Sequence, residues 1–199
     1  MQHSKKDTLT RLLKNPLVAS VRNDEGLDAV INCSAKVVFL LSCNILNVSE
    51  YCQRISDSGK EVFVHIDLVD GLASVPVSVD FIAQKTCASG ILTTHTNMIK
   101  RAKELGLQTV YRIFLLDGVA LQRAQRNITS NRPDFLEMLP GMMPSIVKQL
   151  TGYCSVPIIA GGLLTTEMDI RAALQAGAIA VSTTNPDLWG DLGLEAHAK

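Results

Sequence analysis

Aromatic residues are scarce in this sequence, at 5% of 199 positions, and charge of either sign is balanced, nineteen Lys and Arg against nineteen Asp and Glu. The first scarcity leaves little for a platform of stacked rings that would hold single-stranded nucleic acid. The second excludes a global field that draws in nucleic acid or an anionic membrane. The five cysteines, Cys33, Cys43, Cys52, Cys87 and Cys154, contain no C-x-x-C pair. They are expected to be small core residues in a reducing compartment, not a disulfide frame or a zinc site. No apolar run of about 15 residues follows the basic start, so neither a signal peptide nor a membrane span is expected and the chain is placed in the cytoplasm. No G-x-G-x-x-G follows the first strand, which removes the usual dinucleotide fingerprint. No lysine stands at a strand end, which argues against a Schiff-base aldolase.

What the sequence does have is alternation. Apolar, β-branched runs are expected as strands at Leu17–Val21, Lys36–Leu41, Glu61–Asp67, Gly90–Thr94, Thr109–Leu115, Asp134–Leu139, Val156–Gly162 and Ala178–Asn185. Helical patterns separate them at 25–32, 48–57, 77–86, 97–105, from Asp117 to about Asn127, 143–151 and 165–176, with a terminal helix starting near Pro186. Strands alternating with helices over short connections give βαβ units, and eight such units favour a closed (β/α)8 TIM-type barrel over an open sheet, in fold class α/β. A single domain over residues 1–199 is expected. In residues 1–15, Leu9, Leu12 and Leu13 sit at helical spacing and predict a short plug for the bottom of the barrel.

A barrel keeps its chemistry at the C-terminal ends of its strands. Those ends offer Arg22, then His65 and Asp67, then Thr93, Thr94 and His95, then Arg112, Glu137, Gly161 with Gly162, and Ser182, Thr183 and Thr184. Two glycines after one strand and a Ser-Thr-Thr cluster after the next make an anion cradle from backbone amides, hydroxyls and helix N-termini. Valine at either Gly161 or Gly162 is expected to abolish the response to ligand while leaving the fold largely intact. His65 and Asp67 are two apart and so share a strand face. If Arg112 and Glu137 line the barrel, they must pair with each other or with a ligand, because unpaired charges there are costly. Asp67 and Glu137, two carboxylates on separated strands, are weak evidence for a Mg2+ site, and neither a metal nor a cofactor is expected. The pattern fits a pocket that grips a small phosphate ester. Three readings remain open: a ligand-sensing regulator, a barrel acting through a protein partner, and a phosphate-ester isomerase, lyase or phosphodiesterase with His65 or Glu137 as acid or base.

Several segments resemble the glycerol uptake operon antiterminator proteins: Ala19-Ser20-Val21-Arg22-Asn23, Val64-His65-Ile66-Asp67-Leu68-Val69-Asp70-Gly71, Arg132-Pro133-Asp134-Phe135-Leu136-Glu137, and Ser182-Thr183-Thr184-Asn185-Pro186-Asp187-Leu188-Trp189. The resemblance implies a non-enzymatic regulator that senses glycerol 3-phosphate and binds the untranslated leader mRNA of a glycerol-catabolic operon. It assigns the phosphate to Gly161, Gly162, Ser182, Thr183 and Thr184, and the glycerol side to Arg22, His65, Asp67, Arg112 and Glu137. For RNA, the candidates are Arg123, Arg126 and Arg132, with Lys100, Arg101 and Lys103 on the preceding helix. A homodimer is expected to double so sparse a basic patch.

Overall fold

A computed structural model describes residues 4–194. Eight parallel strands form a closed barrel: β1 (Leu17–Val21), β2 (Val37–Leu40), β3 (Glu61–His65), β4 (Gly90–Thr93), β5 (Gln108–Phe114), β6 (Phe135–Leu139), β7 (Ile158–Gly161) and β8 (Ala180–Thr183). Each pairs with the next, and β8 returns to β1 through Leu17↔Val181 and Val18↔Ser182. Closure leaves no exposed edge in this sheet. Among the described residues, seven helices wrap it: α2 (Asp24–Asn32), α3 (Val48–Asp57), α4 (Pro76–Lys85), α5 (Thr96–Glu104), α6 (Gly118–Asn131), α7 (Pro144–Tyr153) and α8 (Glu167–Gln175).

The eighth helix, α1 (Lys5–Lys14), lies at the N-terminal end of the barrel. Ser4 and Asp7 form a capping box that starts it. Its Leu12 packs into the barrel interior with Phe39, Phe63 and Phe135, and the Phe39 and Phe63 rings meet edge-to-face at 6.0 Å. Glu61 is fully buried beneath this helix. Its carboxylate accepts from Thr8 Oγ1 and pairs with Arg11 Nε at 2.9 Å, so the charge is compensated where water cannot reach it. A second, larger core cluster lies between the outer strand faces and the helices.

Four local expectations are corrected. The third strand ends at His65; Ile66–Leu68 is a 3-10 turn, so Asp67 does not follow strand alternation. α6 runs four residues beyond the expected end because Ile128 still buries its side chain, and it stops at Arg132 in a left-handed conformation (φ 45°). Near Pro186 there is one 3-10 turn, Pro186–Leu188, where a terminal helix was expected to start; residues 195–199 lie outside the described residues. Of the cysteines, Cys43 and Cys52 are buried but Cys87 is exposed. Burial pushes the Cys43 thiol up to about 12, with Asp70 adding to the effect. A two-residue parallel ladder, Cys43–Asn44 against Val69–Asp70, joins the loops after β2 and β3 and had no sequence signal.

Candidate functional site

Inside the barrel the residues nearest the C-terminal end form a polar layer above the phenylalanines. Arg112 and Glu137 are register partners on adjacent strands. Arg112 Nε donates to Glu137 Oε2 at 2.5 Å, and Ser182 Oγ donates to Glu137 Oε1 at 2.6 Å. Both carboxylate oxygens are therefore engaged. Glu137 is 1% exposed and Arg112 8%, so the pair sits in a low-dielectric setting where each charge needs the other.

The layer continues across the barrel. Arg112 Nη1 lies 3.4 Å from His65 Nδ1. A guanidinium has no acceptor, so Nδ1 must present its lone pair and the ring proton is assigned to Nε2. That Nε2 is buried with no hydrogen-bond partner among the described residues, and the Asp67 Oδ2 carboxylate stands 3.8 Å away. Burial, and then Arg112 beside it, push the His65 pKa down to about 4 against the opposing pull of Asp67. The ring is neutral at physiological pH. Asp67 is itself held by Thr93 Oγ1 at 2.5 Å and by the Thr94 amide and hydroxyl, each at 2.7 Å. One polar chain thus runs from β8 through β6, β5 and β3 to the end of β4.

Above this layer is a cavity of about 300 Å³. It is lined by Arg22, Arg112, Glu137, Gly162, Ser182, Thr183 and Thr184 among the expected residues. Ser20, Leu41, Leu139, Leu163, Leu164, Thr165 and Asn185 also line it and were not singled out from sequence. Ser20 had a signal, since it shares strand parity with the inward-facing Val18; the loop leucines had none. Gly161, His65 and Asp67 are not among the lining residues. His65 and Asp67 stand behind Arg112, and Gly161 serves the floor.

The two glycines do different work. A Cβ on Gly161 would stand 2.8 Å from Glu137 Oε1 and closer still to Ser182 Oγ, so only glycine leaves room for that contact. Gly162 has φ +73°, and Leu163 follows at φ +58°, a left-handed conformation uncommon for a bulky side chain. The equal treatment of the two positions is therefore corrected. Gly161→Ala is expected to cost about 1–3 kcal/mol through overpacking of the floor. Gly162→Ala, with its Cβ 3.2 Å from Leu139 Cδ2, is expected to cost nearer 1 kcal/mol for the conformation. Urea unfolding of the two variants checks the order, and the reverse order would contradict this account of the floor.

The loops over the cavity are tied to one another. Gly141 N–H, after β6, donates to Gly161 O at 2.5 Å and Gly162 O at 3.1 Å. Trp189, the sole tryptophan, donates its indole N–H to Thr183 O at 2.9 Å and accepts from Ser34 through its carbonyl. Electrostatically, the Arg112–Glu137 pair cancels, and Arg22 at the mouth leaves the lining one positive charge in excess. Such a site fits a small anion with hydroxyl groups. No group of three or more His, Cys, Asp or Glu side chains able to hold a metal occurs among the described residues.

The RNA candidates are dispersed. Arg123 and Arg126 are exposed on α6, whereas Arg132 caps the opposite end of that helix, near Lys5 at the bottom of the barrel. Arg101 is held by Asp80 and Glu104, and Lys103 donates to the carbonyls of Asn131 and Arg132.

Residues 17–189 match the family described as glycerol-3-phosphate responsive antiterminator. The Escherichia coli K12 protein YgcP, described as uncharacterized, is 34% identical over 178 residues, covering 89% of this chain and 93% of its own. Among solved structures, the glycerol uptake operon antiterminator regulatory protein of Listeria monocytogenes superposes with a TM-score of 0.85 at 29% identity, over 88% of this chain and 95% of that one. A glycerol uptake operon antiterminator-related protein of Thermotoga maritima gives 0.78 at 31% identity, over 87% and 96%.

Proposed function

This chain belongs to the glycerol-3-phosphate responsive antiterminator family, and on that premise we propose that it binds glycerol 3-phosphate in the barrel mouth and, so loaded, binds the leader mRNA of a glycerol-catabolic operon. The observation that carries the reading is the cavity itself. Its floor is a neutralised, hydrogen-bonded charge pair, and its rim combines Arg22 with the Gly162–Leu163 turn and the Ser182–Thr184 hydroxyls.

In this reading the phosphate takes the side of Gly162, Ser182, Thr183 and Thr184, with Gly161 shaping the floor beneath. The glycerol side faces Arg22, Arg112 and Glu137, while His65 and Asp67 brace Arg112 from behind. A sensing role agrees with the chemistry of the floor: the Glu137 carboxylate is paired with Arg112 and accepts from Ser182, which stabilises its charged form and weakens it as a proton acceptor. In this reading the protein acts in the cytoplasm, its described residues working as one barrel domain plugged by α1, and a homodimer would double its sparse basic patch.

Arg22 gives a direct test. Arg22→Ala is expected to lower the affinity for glycerol 3-phosphate roughly 10- to 100-fold, the worth of one charge-assisted hydrogen bond. Because the side chain is exposed, stability should stay within about 0.5 kcal/mol of the parent. Trp189 fluorescence reads the titration, since its indole is bonded to a residue of the cavity wall. Equal affinity in parent and variant would move the ligand away from this mouth. Steady turnover of the ester, abolished by His65→Gln, would select the enzymatic reading instead.

A further inference from the structure

The zero net charge conceals a division around the barrel. α5 carries Lys100, Arg101 and Lys103 against Glu104; α6 carries Arg123 and Arg126, and α7 carries Lys148, neither with an acid. These three neighbouring helices hold a balance of five positive charges. On the rest of the ring, beginning with α8 beside α7, the helices α8, α2 and α3 carry seven carboxylates against Arg54 and Arg171, a balance of five negative charges.

The halves also differ in how far they satisfy themselves. On the acidic side, Arg54 pairs with Asp28 at 2.6 Å and Arg171 with Glu167 at 2.5 Å. On the basic side, Lys100, Arg123, Arg126 and Lys148 are exposed, and none forms an ion pair among the described residues. The same helices also expose Gln122, Thr129 and Ser130 on α6 and Gln149 on α7. Cations interspersed with neutral amides and hydroxyls are the side chains that grip phosphate and sugar.

The placement also meets the cavity. α6 and α7 follow directly on β5 and β6, the strands that hold Arg112 and Glu137. The loop before α7 is latched to Gly161 and Gly162 by the Gly141 amide. A ligand against Gly162 is therefore one backbone hydrogen bond away from the loop that leads into α7.

We infer that the outer face of α5, α6 and α7 is the surface on which the sugar-phosphate backbone of the leader RNA docks, an inference that rests on the RNA-binding reading above. The acidic half repels the same backbone and so sets which side of the barrel faces it. Arg101 and Lys103, already engaged, contribute field and not contact.

The test is anisotropy of a fluorescein-labelled copy of the host's glycerol-operon leader RNA, with glycerol 3-phosphate present, at several salt concentrations. Four proteins are compared: the parent, Arg123→Glu/Arg126→Glu, Lys100→Glu/Lys148→Glu, and a control at the bottom of the barrel, Lys6→Glu/Lys14→Glu. All substituted side chains are exposed, and circular dichroism with the Trp189 titration confirms that fold and cavity survive. The expected result is a loss of at least tenfold in each pair on α5–α7, a salt slope shallower by about 1 per cation removed, and less than twofold change in the control. A parent that binds RNA with the control as the weakened protein would overturn the placement and leave the RNA reading standing. A parent that binds no RNA would overturn both. A change in sedimenting mass for the α5–α7 variants, with RNA affinity intact, would make this face a contact between copies and overturn the proposal.

Discussion

Glu137→Ala is expected to cost about 3–5 kcal/mol of folding stability and to abolish ligand binding. The substitution strips Arg112 of the only carboxylate with which it forms an ion pair among the described residues, with its guanidinium 8% exposed and the neutral His65 ring at its other edge. It also frees Ser182 Oγ of its acceptor. An unpaired buried charge accounts for most of the loss, so the size of the effect measures what is left behind and not what the pair contributes. Glu137→Gln separates the parts: the amide keeps the shape and a partner for Ser182 but drops the charge, and should fall between parent and Ala. Arg112→Met/Glu137→Leu removes both charges together and should recover most of the stability while leaving no ligand response. Urea unfolding followed by Trp189 emission gives the cycle. A loss below about 1 kcal/mol for Glu137→Ala would mean that water reaches the pair and that the floor is not the sealed layer described here.

The second large effect is one of pH. His65 is held at about 4 in the folded chain against an ordinary value near 6.5. Its folded pKa is depressed, so the unfolded chain binds the proton first as pH falls. Stability contributed by the neutral ring is complete above about 6.5 and is lost as pH drops through the window from 6.5 to 4. The loss approaches about 3 kcal/mol at the lower end. Carboxylates titrate at the same end, so the informative quantity is the difference between the parent and His65→Asn. The parent's stability relative to His65→Asn should fall steadily from pH 6.5 to 4, by about 3 kcal/mol in all, and level off below. A difference independent of pH would mean that the folded chain leaves the His65 pKa unshifted, and a difference growing in the parent's favour as pH falls would mean a protonated ring paired with Asp67; either would require a different account of how Arg112 is held.

Much of this arrangement can be derived from the chain. Eight β-branched runs separated by helical patterns determine the barrel, and strand alternation places Arg112 and Glu137 inward because Val110 and Phe135 share their parity. Alternation fails where hydrogen bonding replaces it: Asp67 reaches its position through a 3-10 turn and three hydrogen bonds from Thr93 and Thr94. Sequence identifies Gly161-Gly162 as a pair but cannot divide their tasks, because one depends on the contact between Ser182 and Glu137, forty-five positions apart, and the other on a local φ. Charge segregation is invisible in a net charge of zero; it emerges only when the helices take their order around the barrel.

The most direct measurement is the affinity of the protein for its operon's leader RNA with and without glycerol 3-phosphate. The account predicts tightening with the ester and none with glycerol or inorganic phosphate, by no more than the ligand's own preference for the RNA-competent state. RNA affinity unchanged by the ester would contradict it.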